Sequence, residues 1–153
     1  MSATTLYHAS FTVERLYPAS PARVFACFAK EEKLRRWLVE GEGWSVDAFR
    51  HDFTIGGRDH SAFRWQKGPL ITNDGVYHDI VDNERIIISY SMAMEGKIFS
   101  ASLLTHTFEA RDGGTLLTLT EQGTYYSDPN AAKGREEGFL GLLAELGKEA
   151  ERD

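Results

Sequence analysis

Two ionisable side chains fall at a spacing that could do chemistry. Residues 97–111, KIFSASLLTHTFEAR, and residues 115–126, TLLTLTEQGTYY, flank Asp112-Gly113-Gly114. A turn of this kind joins antiparallel strands tightly, because positive φ costs little at glycine. Strand alternation puts Leu104, His106 and Phe108 on one face of the first segment, and Leu117, Leu119 and Glu121 on one face of the second. A turn on Gly113-Gly114 sets His106 opposite Glu121; a turn on Asp112-Gly113 makes them diagonal neighbours. Either register puts an imidazole and a carboxylate on the apolar face. Such a pair shifts the pKa of both members. It can close an internal hydrogen bond, anchor a polar group of a ligand, or work as general acid and base.

Aromatic residues, 12% of the chain, are the second signal. Trp37, Phe63, Trp65, Tyr77, Tyr90, Phe99, Tyr125 and Phe139 are spread over helices and strands. They either fill a core or wall a ligand cavity, which is mostly apolar with a few convergent polar groups. Met92 and Met94 can adapt to varied shapes or fill gaps. His8, His51, His60 and His78 show no metal-ligand spacing, and neither HExxH nor GxSxG occurs, so no metal and no cofactor is expected. Cys27, the single cysteine, reads as a small core residue. Gly56-Gly57 lacks the lysine and the following helix of a phosphate loop and reads as a hairpin turn, with Arg58 and Asp59 as solvent-facing or paired charges at a strand start.

The totals bound the possibilities. At 153 residues the chain fits one domain, 1–153. It is 42% hydrophobic and 26% charged, an ordinary globular balance. A net charge of -6 with no basic run disfavours nucleic acid. No apolar run approaches the ~20 residues of a membrane span, and no signal peptide is visible. A cytoplasmic setting is the expectation.

The elements that would position these side chains follow from periodicity. Phe11, Val13, Arg15 and Tyr17 alternate on one side of a strand that Pro18 ends. Ser20 caps and Pro21 opens a helix carrying Val24, Phe25 and Phe28. A break near Lys30 precedes a short second helix with Leu34, Trp37 and Leu38. Six strand-like segments follow from Trp44 to Tyr126, joined mostly by short turns. The last segment is a helix that Ser127 or Asp128 can cap, with Pro129 just inside its start. Phe139, Leu142, Leu143 and Leu146 form its apolar stripe. Gly134, Gly138 and Gly141 each cost it about 1 kcal/mol relative to alanine, tolerable where the helix backbone approaches a neighbour closely. The predicted fold is α+β, in the order β-α-α-β6-α: a curved seven-stranded antiparallel sheet wrapped around the long C-terminal helix.

This order carries a resemblance. TVERLYPASPARVFACF resembles the opening strand and helix of the START-like, or SRPBCC, helix-grip superfamily. EEKLRRWL, DFTIGGRD, DGVYHDIVDNERIIISY, DGGTLLTLTEQG and REEGFLGLLAEL are similar, in order, to motifs of one branch. That branch is named after the activator of the ATPase of the ninety-kilodalton heat-shock chaperone. Three positions depart from its pattern: Thr54 replaces an arginine, the proline before Leu-x-x-Trp is absent, and the last helix lacks its opening tryptophan. The resemblance implies a cavity between helix and sheet that takes a small apolar molecule. Its expected lining is Trp37, Phe63, Trp65, Tyr90, His106, Glu121, Phe139 and Leu143. Two alternatives stand beside ligand binding: a cofactor-free cyclase or hydrolase using His106 and Glu121, and a chaperone-associated regulator. Leu140, off the apolar stripe, hints at a homodimer contact.

Overall fold

A computed structural model describes residues 3–152 of the chain. The first strand, β1 (Leu6–Tyr17), is followed by α1 (Pro21–Ala29) and α2 (Glu31–Leu38). Six strands come next: β2 (Trp44–His51), β3 (Arg58–Trp65), β4 (Ile71–Val81), β5 (Arg85–Met94), β6 (Lys97–Arg111) and β7 (Gly114–Tyr126). The helix α3 (Ala131–Ala150) closes the order. All seven strands form one antiparallel sheet in the spatial order β1-β7-β6-β5-β4-β3-β2. The α1–α2 pair carries the chain from one sheet edge to the other. Extra residues in β2 (Asp47), β4 (His78) and β6 (Phe99) shift the register, bend the strands and increase their twist. The α+β fold and the element order match expectation.

Local rules explain most boundaries. Ser20 accepts a bond from the Arg23 backbone N–H at 3.3 Å, and Pro21 opens α1. Asp112 and Gly113 both have positive φ, 53° and 79°, as a two-residue primed turn requires. Arg111 therefore pairs with Gly114 and Leu104 with Glu121, the diagonal alternative for His106 and Glu121. Gly56 has φ 84°, and a side chain at Gly57 would sit 2.2 Å from the Asp52 carbonyl oxygen, so the hairpin needs both glycines. The start of α3 differs from expectation. Asn130 is its N-cap residue, and Asp128 instead accepts the Asn130 N–H at 2.8 Å. Ser127 takes φ 70° and Pro129 lies outside the helix, because the chain must first turn away from β7.

The core lies between one face of the sheet and the helices. Val13, Tyr17, Leu104, Phe108, Leu117 and Leu119 meet Val24, Phe25, Phe28, Leu143 and Leu146, all buried. Full burial of one such side chain contributes about 2 kcal/mol. The C-terminal half of α3 is fastened hardest. The Tyr17 hydroxyl donates to the Leu143 carbonyl at 2.7 Å. The Arg23 guanidinium donates to the carbonyls of Ala150 and Arg152 at 3.0 and 3.1 Å, a cation at the negative end of the helix dipole. Buried Glu149 takes a two-pronged bond from Arg36 at 2.9 and 2.7 Å, and Lys33 lies 3.4 Å away.

The Arg36 bond, chiefly, holds the Glu149 carboxyl below its ordinary value. The sign follows: its stabilisation is present above the ordinary glutamate pKa and is lost as pH falls through the folded-state value. Glu149→Gln is expected to lower the melting midpoint by a few degrees at pH 7, with the gap to the parent closing below about pH 4. Thermal unfolding followed by circular dichroism across that range checks it. Among the described residues no helix is long and apolar enough to cross a membrane.

Candidate functional site

Towards its N-terminal half α3 parts from the sheet. The space left is a cavity of about 800 Å³, open on one side, bounded by α3, α2 and the inner faces of β2 to β7. Trp37, Phe63, Tyr90, His106, Phe139 and Leu143 lie on its wall, together with Phe28, Phe49, Tyr77, Ile88, Met92 and Phe99. Two residues of the expected lining stand elsewhere. Trp65 is 47% exposed and packs at a tilt against Trp44 with centroids 5.1 Å apart. Trp44, its register partner on β2, takes the place on the wall instead. Glu121 is fully buried but stands behind the wall rather than on it.

Nor do His106 and Glu121 pair. Each is held by its own partners, because the diagonal register leaves Leu119 opposite His106. The His106 Nδ1 lies 3.3 Å from the Ile86 carbonyl oxygen on β5, and its ring meets Phe28 edge to face at 4.9 Å. Burial pulls its pKa down to about 4, against a smaller upward pull from the Ile86 carbonyl. The imidazole is neutral at pH 7.

Glu121 is the centre of a network the sequence did not suggest. Tyr90 donates to one carboxylate oxygen and Tyr125 to the other. From α3, Arg135 reaches the Tyr90 hydroxyl at 2.8 Å, Glu121 at 3.3 Å and Ser100 at 2.8 Å. Its guanidinium also lies over the Tyr90 and Tyr125 rings, at 5.7 and 5.5 Å. Burial, reinforced by Glu121, pushes both phenols above the ordinary tyrosine value, so they remain donors. Tyr125 reaches back along its own strand to Glu121 across Gly123. A side chain at 123 would stand 2.7 Å from the Tyr125 hydroxyl. Two weak signals were available but do not by themselves join: Glu121, Gly123 and Tyr125 share a strand face, and Arg135 extends the stripe of Phe139 and Leu142 by one turn.

A second cluster sits beside the β2–β3 hairpin. His51 Nδ1 is 2.8 Å from Asp59, and the Tyr77 hydroxyl donates to the other Asp59 oxygen at 2.6 Å. His51 Nε2 faces the Ala29 carbonyl at 3.3 Å. Burial, the largest single influence, pulls the His51 pKa down. The Asp59 bond and charge, with Ala29 and Glu31, outweigh it and leave it raised. Asp59 is thus a paired charge on the cavity wall. Cys27 is buried and its thiol is pushed up to about 11, chiefly by burial, as an inert core residue would be. Among the described residues no group of three or more His, Cys, Asp or Glu could hold a metal ion.

The α3 glycines correct an expectation. Nothing lies within 4 Å of a Cβ placed at Gly134, Gly138 or Gly141, and all three line the cavity. They do not admit a close neighbour; they bare a strip of helix backbone to the open side.

The family model described as "Activator of Hsp90 ATPase homolog 1-like protein" matches residues 18–151. The crystal structure of the Mll3558 protein from Rhizobium loti is 44% identical, covers 95% of this chain and 99% of its own, and superposes with a TM-score of 0.87. An uncharacterized protein from Rhizobium leguminosarum is 33% identical over 99% of this chain and 100% of its own, with a TM-score of 0.93. Protein CV1439 from Chromobacterium violaceum, at 24% identity, covers 94% of this chain and 98% of its own with a TM-score of 0.79, and shares the fold. No curated protein matches the chain.

Proposed function

The chain belongs to the family of activator of Hsp90 ATPase homolog 1-like proteins, and from that premise we propose that it binds a hydrophobic or aromatic small molecule in the cleft between α3 and the sheet. The observation that carries this is the cleft itself: about 800 Å³, walled by Trp37, Phe63, Tyr90, Phe139 and Leu143, with His106 as a polar point. Ligand sites of ~300–1,000 Å³ are commonly built this way. The bared glycine strip supports the same use, since these residues weaken α3 and return no packing contact.

Acid–base catalysis draws less support. An imidazole held near 4 is a weak base at neutral pH, and both Glu121 oxygens are occupied by Tyr90, Tyr125 and Arg135. A chaperone-related role rests on the family description alone.

The test uses pyrene as the apolar probe, followed by quenching of Trp37 and Trp44, both on the wall. Saturable one-to-one binding is expected. Gly138→Ala should raise stability by up to about 1 kcal/mol, because it improves helix propensity and meets open space. Gly138→Phe should stay folded, occupy part of the cleft and weaken pyrene binding. Failure of pyrene to saturate the parent protein, or unchanged binding by Gly138→Phe, overturns the reading.

A further inference from the structure

We infer that the cleft selects a flat apolar molecule carrying one hydrogen-bond donor, an alcohol or phenol, which it presents to Nε2 of His106. This rests on the binding function proposed above and adds what the ligand must offer.

The argument begins with the tautomer. The Ile86 carbonyl oxygen, 3.3 Å from His106 Nδ1, can only accept, so Nδ1 carries the proton. In a neutral imidazole the other nitrogen is then an acceptor. The ring cannot offer it elsewhere, because the edge-to-face contact with Phe28 and the cross-strand neighbours Ile86 and Leu119 hold it in place. Among the described residues no donor reaches Nε2, although His106 is only 5% exposed and lies on the cavity wall. Nε2 is not among the sealed, unpaired polar atoms, so it opens onto the cavity. A ligand that covers it without offering a donor leaves it unpaired at a cost of about 1–3 kcal/mol, and a ligand that carries a donor avoids that cost.

The surroundings narrow the class of donor. A carboxylate has no proton to give. An ammonium would have to leave water against Phe28 and Leu119, and a buried charge is expensive unless paired. The nearby carboxylates of Asp59 and Glu121 are already engaged by His51, Tyr77, Tyr90 and Arg135. A neutral hydroxyl meets the requirement. The flat shape follows from the aromatic walls and from the Gly134–Gly138–Gly141 strip, where a ring face can lie against helix backbone.

The experiment compares 1-hydroxypyrene with 1-methoxypyrene, which keeps the shape and loses the donor. The protein should bind 1-hydroxypyrene about tenfold to a hundredfold more tightly, the range expected for satisfying a buried acceptor. His106→Phe should bind the two alike. In the unmutated protein the ¹⁵N resonance of His106 Nε2 should move on adding 1-hydroxypyrene and stay with 1-methoxypyrene, a readout that needs no variant to fold. Equal affinity for both, with pyrene also saturating, overturns the inference and leaves the cleft as a binding site. If none of the three probes binds, the cleft reading falls and the inference falls with it.

Discussion

Arg135→Met is expected to destabilise the fold by about 3–5 kcal/mol, the usual cost of removing one partner from a buried ion pair. Glu121 has no exposed surface, and the Arg135 side chain is 16% exposed. Without the guanidinium, the Glu121 carboxylate would keep two tyrosine donors and lose the one cation paired with it among the described residues. Ser100, also fully buried, would lose the Arg135 donor bond, and Tyr90 and Tyr125 would lose the cation over their rings. The double variant Arg135→Met/Glu121→Leu should recover a good part of the loss, because apolar replacement of both members of a buried pair is often close to neutral. Urea unfolding of the parent, both single variants and the double variant measures this as a coupling energy. A loss below about 1 kcal/mol for Arg135→Met would mean that Glu121 does not depend on Arg135 for its charge.

Acidification should unfold the protein through His106. In the folded state its pKa is pulled down to about 4 from an ordinary value of 6.5. Between those two values the unfolded chain binds a proton that the folded chain refuses. Stability therefore rises with pH across this window and is lost as pH falls through it. The difference corresponds to about 3 kcal/mol in all. No charged side chain contributes to the shift, only burial and the Ile86 carbonyl, so added salt should leave it largely in place. Glu149 adds to the acid loss, since its folded pKa is lowered. His51 acts in the opposite sense. Its folded pKa is raised, so its contribution is complete below the ordinary histidine value and is lost as pH rises through the folded one. In His106→Leu the decline in urea midpoint between pH 6.5 and 4 should flatten. An unchanged slope would assign the acid limb to other groups.

Much of this architecture was legible because the signals were local. Alternation at Phe11, Val13 and Tyr17, the cap at Ser20-Pro21 and the turn at Asp112-Gly113 each lie within a few residues of the structure they specify. The cavity wall was legible in part for the same reason: Phe63, Tyr90 and His106 face inward by strand parity. Strand parity also put Trp65 on the inner face, but it does not say which of two facing tryptophans, Trp44 or Trp65, reaches the cavity. The Glu121 network was not legible because its members come from β5, β6, β7 and α3, and only the folded sheet shows that Arg135 reaches Glu121. The glycines of α3 were misread for a related reason. Composition says that a helix has given up side chains there, but whether a neighbour or an opening takes their place depends on the path of the whole sheet.

The pairing of β1 with β7 joins residues about a hundred or more positions apart, as in the 3.2 Å bond between His8 and Thr124. The entropy of closing so long a loop grows only logarithmically, by about 0.6 kcal/mol for each doubling of its length. A few residues gained or lost between Trp65 and Ile71, or between Met94 and Lys97, would barely alter it. The scaffold can therefore be held constant while these connecting turns change in length.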